Sequence, residues 1–211
     1  MTVPSVRLGD VAVIERVALA PSEIPDAVLF VGLENMESTG GFDNVVPVPK
    51  DSIKSTKFKF DDRHVLYGKL RPYLRKIGRP SFSGVCSTDI LPILTGDSIH
   101  KDYLFHYLRT PAVVALATTR STGANLPRLS PKTLEDFTVP LPSLREQRLI
   151  ADILDKAELL RQKRQESLKW LLALEQSIFL EMFDNPVSNL KGWRRIPFSD
   201  LLSSIDSGWS P

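Results

Sequence analysis

Apolar positions follow two different rhythms along the chain. Up to about Leu141 they fall in short runs, Val28–Leu33, Val45–Val48, Val65–Tyr67 and Ile90–Leu94, separated by Gly, Pro, Asn and Asp. Runs of that length between turn-forming residues predict strands. Asp102–Arg109 and Pro111–Arg120 carry helical spacing instead, and the second opens on a proline, whose missing N–H costs little in a first turn. Residues 1–142 are therefore expected to form one mixed α/β domain, and the fold class is α+β.

The rhythm then changes. Beyond Pro140 and Pro142, Ser143 stands three residues before Glu146, the spacing of a capping box, and neither Pro nor Gly recurs until Pro186. This predicts a helix over 143–184, roughly 60 Å long at 1.5 Å per residue. Ile150, Ile153, Leu154, Ala157, Leu160, Leu168, Leu171, Leu174, Ile178 and Met182 step by threes and fours and leave one apolar stripe on it. A stripe of that length outruns a domain of this size, so the helix is expected to be a coiled-coil-forming spacer arm that meets another helix.

Residues 185–211 read as a beginning. Ile196–Leu201 placed under Val6–Val11, at a constant offset of 190 residues, matches apolar with apolar and Asp200 with Asp10. The expectation is a second copy of the first domain, cut short.

Composition narrows the chemistry. The longest apolar runs fall short of a membrane span and Met1–Asp10 lacks the apolar core of a signal peptide, so the expected location is cytoplasmic, with no membrane partner. A single cysteine, Cys86, excludes an internal disulfide framework and reads as a buried small hydrophobe, while His64, His100 and His106 show no ligand-pair spacing, so no metal is expected. The net charge is only +2, yet Lys54 to Arg79 holds nine basic residues against Asp61 and Asp62. Such a run is either a solvated face or the footprint of a nucleic acid.

Gly123–Ser130 (GANLPRLS) followed by Val139–Asp155 (VPLPSLREQRLIADILD) resembles the junction between target-recognition domain and spacer helix in the specificity subunits of type I restriction-modification systems. The paired prolines, Glu146-Gln147, Ile150-Ala151 and Leu154-Asp155 fall where that family has them. Val6–Asp10 looks like its domain-opening motif, and Tyr67–Lys76 (YGKLRPYLRK) like a recurrent segment of its recognition domains. The family normally carries two recognition domains and two long helices in tandem, whereas this sequence has one of each and the opening of a second domain. The resemblance implies a reader of double-stranded DNA that directs DNA methyltransferase (modification) subunits and a restriction/translocase subunit to a bipartite target.

Base edges are read by side chains of fixed hydrogen-bonding geometry, while other cations hold phosphates. The first expected DNA-binding set is Tyr67, Lys69, Arg71, Tyr73, Arg75, Lys76 and Arg79. A second is the loop with Arg120, Ser121, Thr122, Asn125 and Arg128, where Gly123 either lets a backbone approach DNA or simply makes a turn. Motifs for S-adenosylmethionine, amine methylation, ATP and metal-dependent nuclease chemistry are missing, so no catalytic residue and no cofactor is expected. The stripe from Ile150 to Met182 is the expected partner-helix interface, filled by a second copy of the chain. Two other readings of the same features are a stand-alone dimeric DNA-binding regulator and a structural adaptor docking through its long helix.

Overall fold

The computed structural model describes residues 3–185 and 187–202. In chain order its elements are β1 (Ser5–Arg7), α1 (Leu8–Val11), β2 (Ala12–Ile14), β3 (Ala18–Leu19), β4 (Val28–Val31), β5 (Pro47–Val48), β6 (Lys57–Phe60), β7 (His64–Gly68), β8 (Ile77–Gly78), β9 (Gly84–Cys86), β10 (Ile90–Thr95), α2 (Lys101–Leu108), α3 (Pro111–Thr119), α4 (Pro131–Glu135), β11 (Thr138–Pro140) and α5 (Leu144–Phe183). The mixed α+β class holds. The chain divides into two compact units, residues 1–156 and 157–211, with the boundary inside α5. Among the described residues, no helix is long and apolar enough to cross a membrane.

The first unit is built on three sheets, ordered β1-β11, β2-β10-β7-β8 and β3-β6-β9-β4-β5. All pairings are antiparallel except β4 with β9. Strands β7 and β10 are buried on both faces, which explains their nearly continuous apolar runs. Alternation sends Val65, Tyr67, Leu91 and Ile93 into a core shared with Leu104, Leu108 and Phe137, and sends Leu66 and Ile90 to the opposite face against Val31, Phe60 and Cys86. Burial pushes the Cys86 thiol up to about 12, so it stays protonated and unreactive at neutral pH. Of the expected strand Val45–Val48, only Pro47–Val48 pairs, as a short edge against Val28 and Leu29.

Helix α5 begins as its sequence requires. The Ser143 amide donates to Glu146 Oε2 at 2.9 Å and the Glu146 amide to Ser143 Oγ at 3.3 Å, a reciprocal capping box. These bonds hold the Glu146 carboxyl below its usual range. One turn on, Gln147 is 0% exposed and fully engaged. Its Oε1 accepts from the His100 amide at 2.8 Å, and its Nε2 donates to the Ser98 and Pro142 carbonyls at 3.0 and 2.9 Å. Replacing Gln147 by alanine removes the partner of three part-buried backbone groups at once and is expected to cost about 1–3 kcal/mol of folding stability. Urea unfolding of the two chains measures it; a loss below about 0.5 kcal/mol would contradict the assignment.

Two further ties hold the first turns of α5 to the domain. Asp155 accepts from Arg79 Nη2 at 2.5 Å and from His106 Nε2 at 2.8 Å, and Arg79 Nη1 also pairs with Asp102 at 2.8 Å. Burial opposes the Asp155 charge, but the Arg79 and His106 hydrogen bonds outweigh it and hold the carboxyl below its ordinary 3.8. Burial pushes His106 below its ordinary 6.5; Asp155 pulls it back up, and the cations Arg79 and Arg109 add to the depression. Both groups thus bind protons less readily in the folded chain than in the unfolded one. Stability is full above the ordinary imidazole value, falls as pH drops through the depressed value of His106, and falls again as Asp155 protonates. The melting temperature is expected to decline between pH 7 and 5, and the decline to shrink in His106→Gln, which keeps the N–H donor but cannot titrate. Equal slopes in the two chains would show that His106 contributes nothing.

In the second unit the remainder of α5 is polar in its middle, where Arg161 Nη2 pairs with Glu158 Oε1 at 2.6 Å, and apolar beyond Leu168. Its C-terminal carbonyls are capped from outside, with Lys191 Nζ donating to Glu181 O at 2.5 Å and Met182 O at 3.0 Å. Phe183 lies 5.0 Å from Phe179 and 5.8 Å from Trp193, ring centre to ring centre. The internal repeat expected over 185–211 falls partly outside the described residues, which stop at 202. Within them, a short 3-10 turn at Phe198–Asp200 stands where the 190-residue offset places α1.

Candidate nucleic-acid interface

The two sequence-predicted segments meet. Strands β7 and β8 form a hairpin whose long tip, residues 69–76, runs beside residues 127–129. The Arg71 amide donates to Pro127 O at 2.7 Å and the Leu129 amide to Lys69 O at 2.9 Å, while Leu70 and Arg128 form an isolated bridge. A second bridge closes the other loop on itself, with the Thr122 amide donating to Arg128 O at 3.0 Å and the Arg128 amide to Thr122 O at 2.8 Å. Lys69, Arg71, Tyr73, Arg75, Thr122, Asn125 and Arg128 therefore belong to one surface, although some fifty residues separate the two segments.

Charge on this surface is only partly compensated. Asp89 lies 3.2 Å from Arg128 Nε and 3.7 Å from Lys69 Nζ, so one carboxylate faces two cations. Arg71 and Arg75 form no ion pair among the described residues, and Arg75 Nε is buried without a hydrogen-bond partner there. Arg71 is exposed and Arg75 half-buried.

The remaining members of the expected set lie elsewhere or are spoken for. Tyr67 is 2% exposed in the middle of β7, and burial pushes its phenol well above the ordinary value; it is a core residue, not a groove contact. Strand alternation turned it inward, and only the tertiary cover on that face distinguishes it from Tyr73. Lys76 donates its ammonium to the Met36 carbonyl. Arg79 is committed to Asp102 and Asp155 and lies over the Phe105 ring at 4.7 Å, so its role is to hold α5. Arg120 stacks over Phe137 at 5.7 Å and Ser121 Oγ donates to Ala117 O at 2.7 Å, both finishing α3. Gly123 adopts φ +108°, and a Cβ there would meet Leu126 O at 2.9 Å, so the turn itself requires glycine.

Two features were missed in the sequence. Asp89, in the polar turn Ser87–Asp89 just before the apolar run of β10, has no local signal of its pairing with Lys69 and Arg128. On α5, the expected stripe is exposed throughout, but Leu149, Leu159, Trp170, Leu172 and Phe179 are exposed as well, so the apolar surface is wider than one stripe. The polar stretch around Arg161–Glu166 divides it in two.

Residues 44–169 match the model of the family described as the type I restriction modification DNA specificity domain. The type I restriction enzyme EcoDI specificity subunit of Escherichia coli is 28% identical over 206 residues, 95% of this chain and 45% of that protein. The MjaIX specificity subunit of Methanocaldococcus jannaschii is 26% identical over 121 residues, 56% of this chain and 27% of that one. The chain thus spans less than half the length of these relatives. Among solved structures, the HsdS subunit of Thermoanaerobacter tengcongensis superposes with a TM-score of 0.65 at 24% identity, covering 87% of this chain and 50% of that one. A chain from a study of complex assembly and conformational transition in the type I R-M system gives a TM-score of 0.68 at 23% identity over the same shares. These two likenesses concern the fold.

Proposed function

The chain belongs to the family of type I restriction modification DNA specificity domains, and from that premise we propose that it is a DNA-reading specificity subunit that performs no chemistry itself. The supporting observation is the meeting of residues 69–71 with 127–129, which brings Lys69 and Arg128 to one carboxylate, Asp89, beside a loop that also carries Arg71 and Arg75. Cations of this kind position a duplex through its phosphates, and Asn125 and the arginines supply the groups that read adenine and guanine edges.

A reader without catalytic groups needs partners. DNA methyltransferase subunits and a restriction/translocase subunit are the proposed ones, acting in the cytoplasm. Self-association through Ile150–Met182 would cover the apolar surface of α5 with a second copy of the same helix, giving a two-fold reader of a split site. The apparent restart at Ile196 is the opening of a second recognition domain on this reading.

Selection from a library of random-sequence duplexes tests the assignment. One sequence family should be enriched, with affinity falling steeply as salt rises, because each neutralised phosphate releases a counterion. Failure to enrich any sequence, alone or with methyltransferase subunits, would overturn it. Methyl transfer from S-adenosylmethionine by the chain alone would overturn the division of labour.

A further inference from the structure

The tip of the β7–β8 hairpin shows Tyr73 and Leu74 to solvent, 50% and 42% exposed, between a buried Pro72 and the half-buried Arg75. Two large apolar side chains on a loop tip are ordinarily a liability, and here the backbone is built to hold them out. Arg71 and Arg75, at either side of the turn, both adopt left-handed conformations, φ 50° and 53°, which a residue with a Cβ rarely takes. The strain is locked in by hydrogen bonds. Arg71 N donates to Pro127 O at 2.7 Å, Leu74 N to Arg71 O, Arg75 N to Pro72 O and Ile77 N to Arg75 O, the last three at 2.9 Å. Strained non-glycine backbone held this firmly is a mark of a functional tip. Leu126, 44% exposed, lies on the neighbouring loop.

Arg71 and Arg75 flank Tyr73 and Leu74 in the chain, and Lys69 and Arg128, which share the carboxylate of Asp89, lie at the base of the same loop. An apolar point flanked by cations suits a partner that is anionic on its outside and apolar between its layers. A protein surface with that alternation is unusual; the base stack of a duplex between its phosphate rails has it throughout. Resting on the DNA-reading assignment above, we propose that Tyr73 and Leu74 form a rigid wedge that enters the duplex at one base step and partly unstacks it, while the surrounding cations hold the flanking phosphates. The wedge reads deformability: pyrimidine–purine steps unstack most readily, so such a step is expected in the target where the tip enters.

The experiment uses the full chain alone and the duplex it enriches from the random library. 2-Aminopurine is substituted for each purine in turn, and its fluorescence rises when stacking is lost. The expected result is a several-fold rise at one step or its immediate neighbour. In Tyr73→Ser with Leu74→Ser the rise should vanish and affinity fall roughly tenfold, whereas Tyr73→Phe with Leu74→Met should keep both. Both side chains are exposed, and circular dichroism and melting should be unchanged in all three chains. Enrichment and binding with no rise at any position would overturn the wedge and leave the DNA reader standing. So would a rise that persists in the double serine variant, or a double variant that binds as tightly as the parent. Absence of any enriched sequence would overturn the DNA reader and the wedge with it.

Discussion

Replacing Leu171 and Leu174 by aspartate should give a chain that sediments as a monomer where the parent is expected to pair, without lowering the melting temperature of the first unit. The two leucines are 60% and 52% exposed on α5, beside Trp170, Leu172, Ile178 and Phe179, which are exposed too. A run of apolar surface on this scale along one helix is far from what an isolated soluble helix tolerates. In a two-fold pair each leucine is buried twice. At ~1.5 kcal/mol per leucine, four of them contribute about 6 kcal/mol, or some four decades in Kd, before the added cost of burying carboxylates. Sedimentation equilibrium at micromolar concentration reads the change directly. A parent chain that sediments as a monomer would remove the premise. The polar stretch Arg161–Glu166 divides the apolar surface, so substitutions there should have much weaker effects than those at Leu171 and Leu174.

The second large effect concerns DNA affinity. Arg71→Ala and Arg128→Ala should each weaken binding about tenfold at moderate salt. A phosphate contact is lost on every sequence and lowers the slope of log affinity against log salt by about one, whereas a base contact is lost selectively at one position of the target. Arg128 is the more informative of the pair, because its removal also frees Asp89, which then faces Lys69 alone. Arg79→Ala serves as the contrast. Its guanidinium is held by Asp102 and Asp155, so its loss is expected to cost about 2 kcal/mol of folding stability and to leave the salt slope unaltered. Binding titrations across a salt series together with urea unfolding separate the two behaviours. A salt slope that falls for Arg79→Ala and not for Arg71→Ala would place the interface on the wrong side of the hairpin.

The local part of this architecture was legible in the residues themselves. Helix α5 was, because it depends on the Ser143–Glu146 capping box and the absence of Pro and Gly before Pro186, and every one of its backbone bonds is made within four residues. Helices α2 and α3 began and ended within a residue of expectation for the same reason. The basic segment was visible too, as a density of charge.

What each charge does was decided elsewhere. Lys69, Arg71, Lys76 and Arg79 look alike along the chain, yet the first two point to the shared surface, the third caps a carbonyl of Met36 and the fourth grips Asp155. Their partners lie between 20 and 76 positions away in sequence, at distances no periodicity encodes. Tyr67 and Tyr73 differ in the same way: both are aromatic residues in a basic run, but β7 is covered on both faces by packing that its own sequence does not contain, and the hairpin tip is not. Local spacing determined which segments become helix or strand, because those bonds close within a few residues. The tertiary fold alone decided which side chains are core, which are tether and which stay exposed, because burial and ion pairing are set by whatever distant segment the chain brings alongside.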